Sequence, residues 1–164
     1  KAQEAMRMIQ QVIERGMDAG EVTLDGVFDR DYRQVPGSNP VQYDVRFNPF
    51  ADAHVRPILD RVKGSDARII GSAIGDMNGY LPTHLTERSQ PQGDDPVWND
   101  EHCRNRRILI DDTTRNALLS DKPATLATYR MELGDRFIPV KNVFVPLFIK
   151  GRRWGNFELA YRDD

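Results

Sequence analysis

Arg104, Arg106 and Arg107 are the residues of this sequence best equipped to hold a ligand. A guanidinium offers paired donors that match the two oxygens of a carboxylate. The same side chains can instead pair with Asp94, Asp95, Asp111 or Asp112 and pin the segment around them. That role suits Arg107, while Arg104 and Arg106 stay open between the two, since alternating side chains of one short segment cannot all face inward. His84 has three readings: a ligand to haem iron, a hydrogen-bond donor to a bound anion, or a hydrogen-bonded structural residue. His102-Cys103 adds two soft ligands, but neither the Cys-x-x-Cys-His of attached haem nor a zinc spacing is present. Tyr129 and Arg130 alternate, so one of them faces a cavity and the other faces away. Trp154 suits a packing anchor better than a stacking platform for a ligand.

Asp111-Asp112 could be paired acids, and Asp76 sits beside a turn. Neither comes with a nucleophile, a positioned base or a phosphate loop. Gly-x-Ser-x-Gly, His-Glu-x-x-His and Walker sequences are absent, so the chemistry expected is binding rather than catalysis.

The elements that must position these residues follow from periodicity. Ala2, Ala5, Met6, Ile9, Val12, Ile13 and Met17 recur at spacings of three and four and predict a helix with one apolar stripe in want of a partner. Gly16 and Gly20 weaken its end, and Thr23 caps a short second helix through Val27-Phe28. A loop of turn formers runs from Asp29 to Pro40. Asn48-Pro49 then opens a helix to about Val62 that Pro57 must kink or divide. Ala67 to Gly75 and Tyr80 to His84 read as strands joined at Asn78-Gly79 in a tight type I′ hairpin. A polar insert from Leu85 to Lys122 holds short helices at Asn99 to Arg104 and Asp112 to Leu119. Three more strands, Ala124 to Glu132, Arg136 to Ile149 and Arg153 to Tyr161, turn at Leu133-Gly134-Asp135 and Lys150-Gly151. Pro146 must lie where its missing donor is tolerated. The expected fold is α+β: five antiparallel strands built as two plus three, N-terminal helices, and a helical insert between strands two and three that covers one sheet face and closes a cavity.

At 164 residues the chain suits one domain with a helical lead-in. No stretch approaches a membrane-spanning run or a signal peptide, and an opening on Lys1 instead of Met suits a piece of a longer protein. A single cysteine rules out an internal disulfide and favours the cytosol. A net charge of −2 with scattered basic residues speaks against a nucleic-acid surface.

The run Asp76-Met77-Asn78-Gly79-Tyr80-Leu81-Pro82-Thr83-His84 is joined by Ser89-Gln90-Pro91, Asn105-Arg106-Arg107, Thr128-Tyr129-Arg130 and Gly151-Arg152-Arg153-Trp154-Gly155. Together they resemble a PAS/Cache-like sensor module of bacterial methyl-accepting chemotaxis proteins, from about Phe28 to Tyr161. The resemblance implies a module on the cytoplasmic side that follows the signalling coiled coil, with 1–20 as the signalling helix and 21–164 as the sensor domain. The chain departs from the pattern at His84-Leu85 (His-Asn in the family), at Glu87-Arg88 before Ser89 (where the family has Phe or Lys-Phe) and at Arg153-Trp154-Gly155-Asn156 (His-Trp-Gly-Gly).

The expected function is a sensory input domain that binds a small molecule between sheet and insert and passes its state to the N-terminal helix. The expected pocket residues are Asn78, Tyr80, His84, Arg104, Arg106 and Tyr129, with Ser89 and Gln90 at its mouth. The expected partners are a small-molecule ligand, a second copy of the chain through the helix stripe, and the chemotaxis signalling proteins reached through the parent receptor. No cofactor is expected, with haem at His84 or Cys103 kept as a separate reading beside a ligand-free dimerisation module.

Overall fold

The computed structural model describes residues 1–133 and 136–163; the expected turn at Leu133-Gly134-Asp135 falls in part outside them. Helix α1 (Ala2–Asp18) ends in a Schellman cap. Gly20 takes the left-handed conformation at φ 75° and donates to Met17 O, while Glu21 N reaches Gly16 O. Helix α2 (Leu24–Val27) starts on Thr23, whose hydroxyl accepts from Gly26 N. A two-residue pair, β1 (Arg33–Gln34) and β2 (Tyr43–Asp44), lies within the expected loop region and its continuation. Pro57 divides the next helix, as expected: α3 (Asn48–Phe50) passes through a π-helical turn (Ala51–Val55) into α4 (Arg56–Gly64). The wide turn comes just before the proline, where the regular hydrogen-bond ladder loses a donor.

Strand β3 (Ile69–Asp76) leads into the insert, which carries α5 (Pro96–His102) and α6 (Asp112–Leu119). Strands β4 (Thr125–Leu133), β5 (Arg136–Ile149) and β6 (Arg152–Arg162) form the expected meander, and β6 then pairs with β3. The main sheet is antiparallel in the order β3-β6-β5-β4. Pro146 lies beyond the last β4 partner of β5, Phe144, so its missing N–H breaks no ladder with β4.

Two expectations need correction. Among the described residues the main sheet has four strands and not five, because Tyr80 to His84 does not pair along β3. Leu81 N donates to Arg107 O at 2.9 Å, Arg106 N to Leu81 O at 2.7 Å, and Leu109 N to Gly79 O at 2.9 Å, so this segment's backbone bonds go to the returning insert. Pro82, with no N–H, ends even that pairing. The turn is likewise not type I′: Gly79 alone is left-handed, at φ 81°. Gly79 N donates to Asp76 O and Asp76 N to Tyr80 O, the pattern of a type I turn closed by a bulged glycine. The primed turn is instead at Lys150-Gly151, with φ of 51° and 78°.

The stripe on α1 lies against β5 and β6. Ile9 and Ile13 are fully buried in one core with Val145, Leu147, Ile149, Phe157 and Leu159. The partner it was expected to find in a second copy is therefore its own sheet. Trp154 is the anchor expected, with its indole donating to Val27 O at 2.9 Å and its ring edge-on to Phe47. Among the described residues no helix is long and apolar enough to cross a membrane.

Candidate functional site

Alternation along β5 and β6 gives the sheet two different faces. Val143, Val145, Phe157 and Leu159 turn toward α1, while Asn142, Phe144, Glu158 and Ala160 turn the other way and line a cavity of about 860 Å3. The insert forms the opposite wall with Arg104 and the stretch Leu109 to Asp111, followed by Thr113 and Thr114. His84, Leu85 and Arg88 close one side, and Tyr129 the β4 side. Asp111 caps α6 by accepting from Thr114 N at 2.8 Å, which sets the helix start at the cavity wall and holds the Asp111 carboxyl below its ordinary value.

The structure brings together three of the eight expected residues, His84, Arg104 and Tyr129. His84 is half-buried, and its Nδ1 accepts from Leu85 N at 2.8 Å, which leaves Nε2 as the donor of a neutral ring. Burial, reinforced by Arg104, Arg88 and Arg56, pushes its pKa down to about 3. Arg104 donates to Asp100 O at 3.1 Å but makes no ion pair among the described residues. Burial, with Arg107 alongside, lowers its pKa from the ordinary value. Burial raises the phenol of Tyr129, with Glu158 adding to it.

The other five do not line this cavity. Arg106 bridges Asp44 at 3.2 Å and Asp52 at 3.3 Å, with backbone φ at 62°, and so ties the insert to β2 and the helical segment after α3. Tyr80 is core: its hydroxyl donates to Asn48 Oδ1 at 2.9 Å or Tyr43 O at 2.8 Å, and its ring stacks on Tyr32. Asn78 is exposed and donates to the Tyr32 hydroxyl. Ser89 forms a bridge with Cys103, and Gln90 is exposed with its amide on Glu87 O. Arg107 is pinned as expected, though by Asp100 at 2.7 Å and not by the acids named for it.

Sequence reading missed Glu158. Its half-buried carboxyl faces the cavity, and burial, with Asp111 second, pushes its pKa up to about 7 against the pull of Arg104. In sequence it is one polar residue between Phe157 and Leu159, the same pattern a solvent-facing strand position gives. Neither His102 nor Cys103 is on the cavity wall: His102 stacks on Trp98, and Cys103 is buried, its thiol pushed up by that burial. Among the described residues no group of three or more His, Cys, Asp or Glu side chains could hold a metal ion. The wall nevertheless combines a cation without an ion pair among the described residues, a half-buried acid and a neutral imidazole donor, groups that can fix a small polar molecule by charge and hydrogen bonds.

No protein-family model matches the chain, and no curated protein does. Among solved structures, the ligand-binding domain of the Pseudomonas fluorescens chemoreceptor CtaA, in complex with L-serine, aligns with 97% of this chain and 55% of its own length, at 13% identity and a TM-score of 0.41. The chain thus spans about half of that domain, and at this level of likeness nothing of its ligand transfers.

Proposed function

We propose that this chain is a sensory input domain of a bacterial chemotaxis receptor, which binds a small polar molecule in the cavity between the sheet and the helical insert. The observation that carries the reading is the cavity itself: about 860 Å3, with Arg104 and Glu158 on its walls and neither in an ion pair among the described residues. A cavity that served only packing would be filled by apolar side chains or have its charges paired. The second support is the two-faced sheet. Glu158 meets the cavity while its neighbours Phe157 and Leu159 meet α1, so a displacement of β6 on binding is felt by the N-terminal helix. Binding moves that helix only through the ligand's differential affinity for two arrangements of β6 and the insert.

On this reading the domain lies on the cytoplasmic side, α1 continues the receptor's signalling helix, and the chemotaxis signalling proteins are reached through the parent receptor. Association of two copies through the α1 stripe is not part of the proposal, because the domain's own sheet covers that stripe. A thermal-shift screen of the whole chain against amino acids, organic acids and other small metabolites tests the reading, together with a visible spectrum. A ligand that binds raises Tm by mass action, and its effect is lost in Arg104→Ala. Silence across the screen would sink the sensor reading, and an absorption band in the haem region would replace it with the haem reading at His84.

A further inference from the structure

Glu158 stands in mid-strand, yet no group among the described residues donates a hydrogen bond to its carboxyl or lies within ion-pair distance of it. A bare carboxylate there would be a desolvated charge without a donor, so the acid form is favoured. The groups around it agree. Asp111, at the start of α6, keeps its own negative charge and repels a second one. Arg104 from the insert pulls toward ionisation. Arg88 is turned to Glu101 at 3.7 Å, His84 is neutral, and Tyr129 on β4 is a phenol. Beside Glu158, Asn156 is 4% exposed and its Nδ2 has no partner among the described residues. Arg153 fixes that amide by donating to its oxygen at 2.7 Å, so the orphan atom is a donor. Asn156, Glu158 and Thr114 also line an annex of about 30 Å3 that adjoins the main cavity. The cavity wall and its annex hold the donors Arg104, His84 Nε2, Asn156 Nδ2 and the acid O–H of Glu158, against two acceptors, the carboxylate of Asp111, engaged by its helix, and the orphan Oδ1 of Asn142. Such a set calls for an oxygen acceptor.

We propose that the occupant is a small organic acid whose charge rests on Arg104, and that Glu158 is the specificity residue, donating its acid O–H to an oxygen of that ligand. The inference rests on the sensor reading above. No bond to carbon changes; a Glu158 that is ionised beforehand takes one proton from solvent on binding and returns it on release. The site therefore reads its ligand and the ambient pH together.

Propionate and propylamine, of similar size and opposite charge, are the probes, titrated against the whole chain by thermal shift at about pH 6 and about pH 8. Propionate is expected to bind about tenfold more weakly at the higher pH, the loss set by a group titrating near 7. Glu158→Gln, whose amide donates at every pH, is expected to bind it without that dependence. Propionate binding that ignores pH, or a Glu158→Gln variant that keeps the wild-type profile, overturns the role of Glu158 and leaves the cavity reading standing. Propylamine binding that tightens with rising pH overturns the organic acid. Silence from both compounds overturns this inference, and only a blank in the wider screen takes the sensor reading with it. A carbon NMR titration of the labelled Glu158 carboxyl needs no ligand, and a midpoint in the ordinary carboxylate range overturns the inference by itself.

Discussion

Arg153 donates to the side-chain oxygen of Asn156 at 2.7 Å, so the two residues that depart from the His-Trp-Gly-Gly pattern are bonded to each other. The same guanidinium reaches Ser120 O at 3.0 Å and Ala117 O at 3.4 Å, the open carbonyls at the end of α6. One cation thus docks the insert's second helix on the sheet and orients an amide beside the cavity. Arg153→Ala is expected to cost about 1.5–3 kcal/mol, the range for hydrogen bonds to a charged group, with Arg153→Lys recovering only part. Urea unfolding with an unchanged m value measures it, and a cost near zero would mean that α6 is held by Ala117 and Leu118 alone.

Gly155 and Gly151 separate two reasons for a glycine. A Cβ on Gly155 would lie 1.9 Å from Gly75 O and 2.7 Å from Asp76 Cα, both backbone atoms of the neighbouring strand. A Cβ on Gly151 meets nothing within 4 Å, but φ there is 78°. Gly155→Ala must push β3 from β6 and is expected to cost about 3 kcal/mol or more. Gly151→Ala carries only the left-handed penalty, about 1 kcal/mol. Thermal unfolding of the two variants side by side should rank them in that order, and the reverse order would contradict the close approach of β3 and β6.

The meander β4-β5-β6 and helix α6 were legible in the sequence because their signals are local: runs of strand formers, a Lys-Gly turn, a short helical stretch from Asp112 to Leu119. The missing fifth strand was not, because the partners of Gly79 and Leu81 lie at Arg106 to Leu109, across the whole insert, and nothing near Tyr80 says so. Arg104 and Arg106 show the limit at the site. Two positions apart they offer the same guanidinium, and only tertiary placement sends one to the cavity and the other to Asp44 and Asp52. Glu158 was hidden for a related reason: a cavity-facing strand position and a solvent-facing one have the same pattern.

Arg104 and Arg106 should therefore separate in function. Arg106→Ala breaks two part-exposed ion pairs and is expected to lower stability by about 1 kcal/mol while leaving ligand affinity unchanged. Arg104→Ala breaks no ion pair and is expected to leave stability within about 0.5 kcal/mol of the parent. The affinity for whichever ligand emerges from the screen should fall by about 2–5 kcal/mol, the cost of unpairing a desolvated charge. Calorimetric titration beside urea unfolding gives both numbers. An affinity that followed Arg106 and not Arg104 would move the site out of the cavity.

His84 and Glu158 titrate in opposite senses within one cavity. The folded-state pKa of His84 is lowered from 6.5 to about 3, so between those values the unfolded chain binds more protons there and stability rises with pH. That of Glu158 is raised from 4.5 to about 7, so between those values the folded chain binds more and stability falls as pH rises. Each contributes a slope of up to about 1.4 kcal/mol per pH unit, and the windows overlap between 4.5 and 6.5. Between these two residues the slopes should cancel there, which leaves the parent's stability nearly flat through the overlap and falling as pH drops below it, where His84 is joined by carboxylates that the fold holds low, Asp29, Asp66 and Asp111. Glu158→Gln removes the opposing slope and is expected to turn the flat region into one that rises with pH. His84→Gln is expected to make the same region fall. Urea midpoints at half-unit pH steps separate the three profiles, and a variant that shifts its curve up or down without tilting it would show that its residue keeps an ordinary proton affinity in the fold.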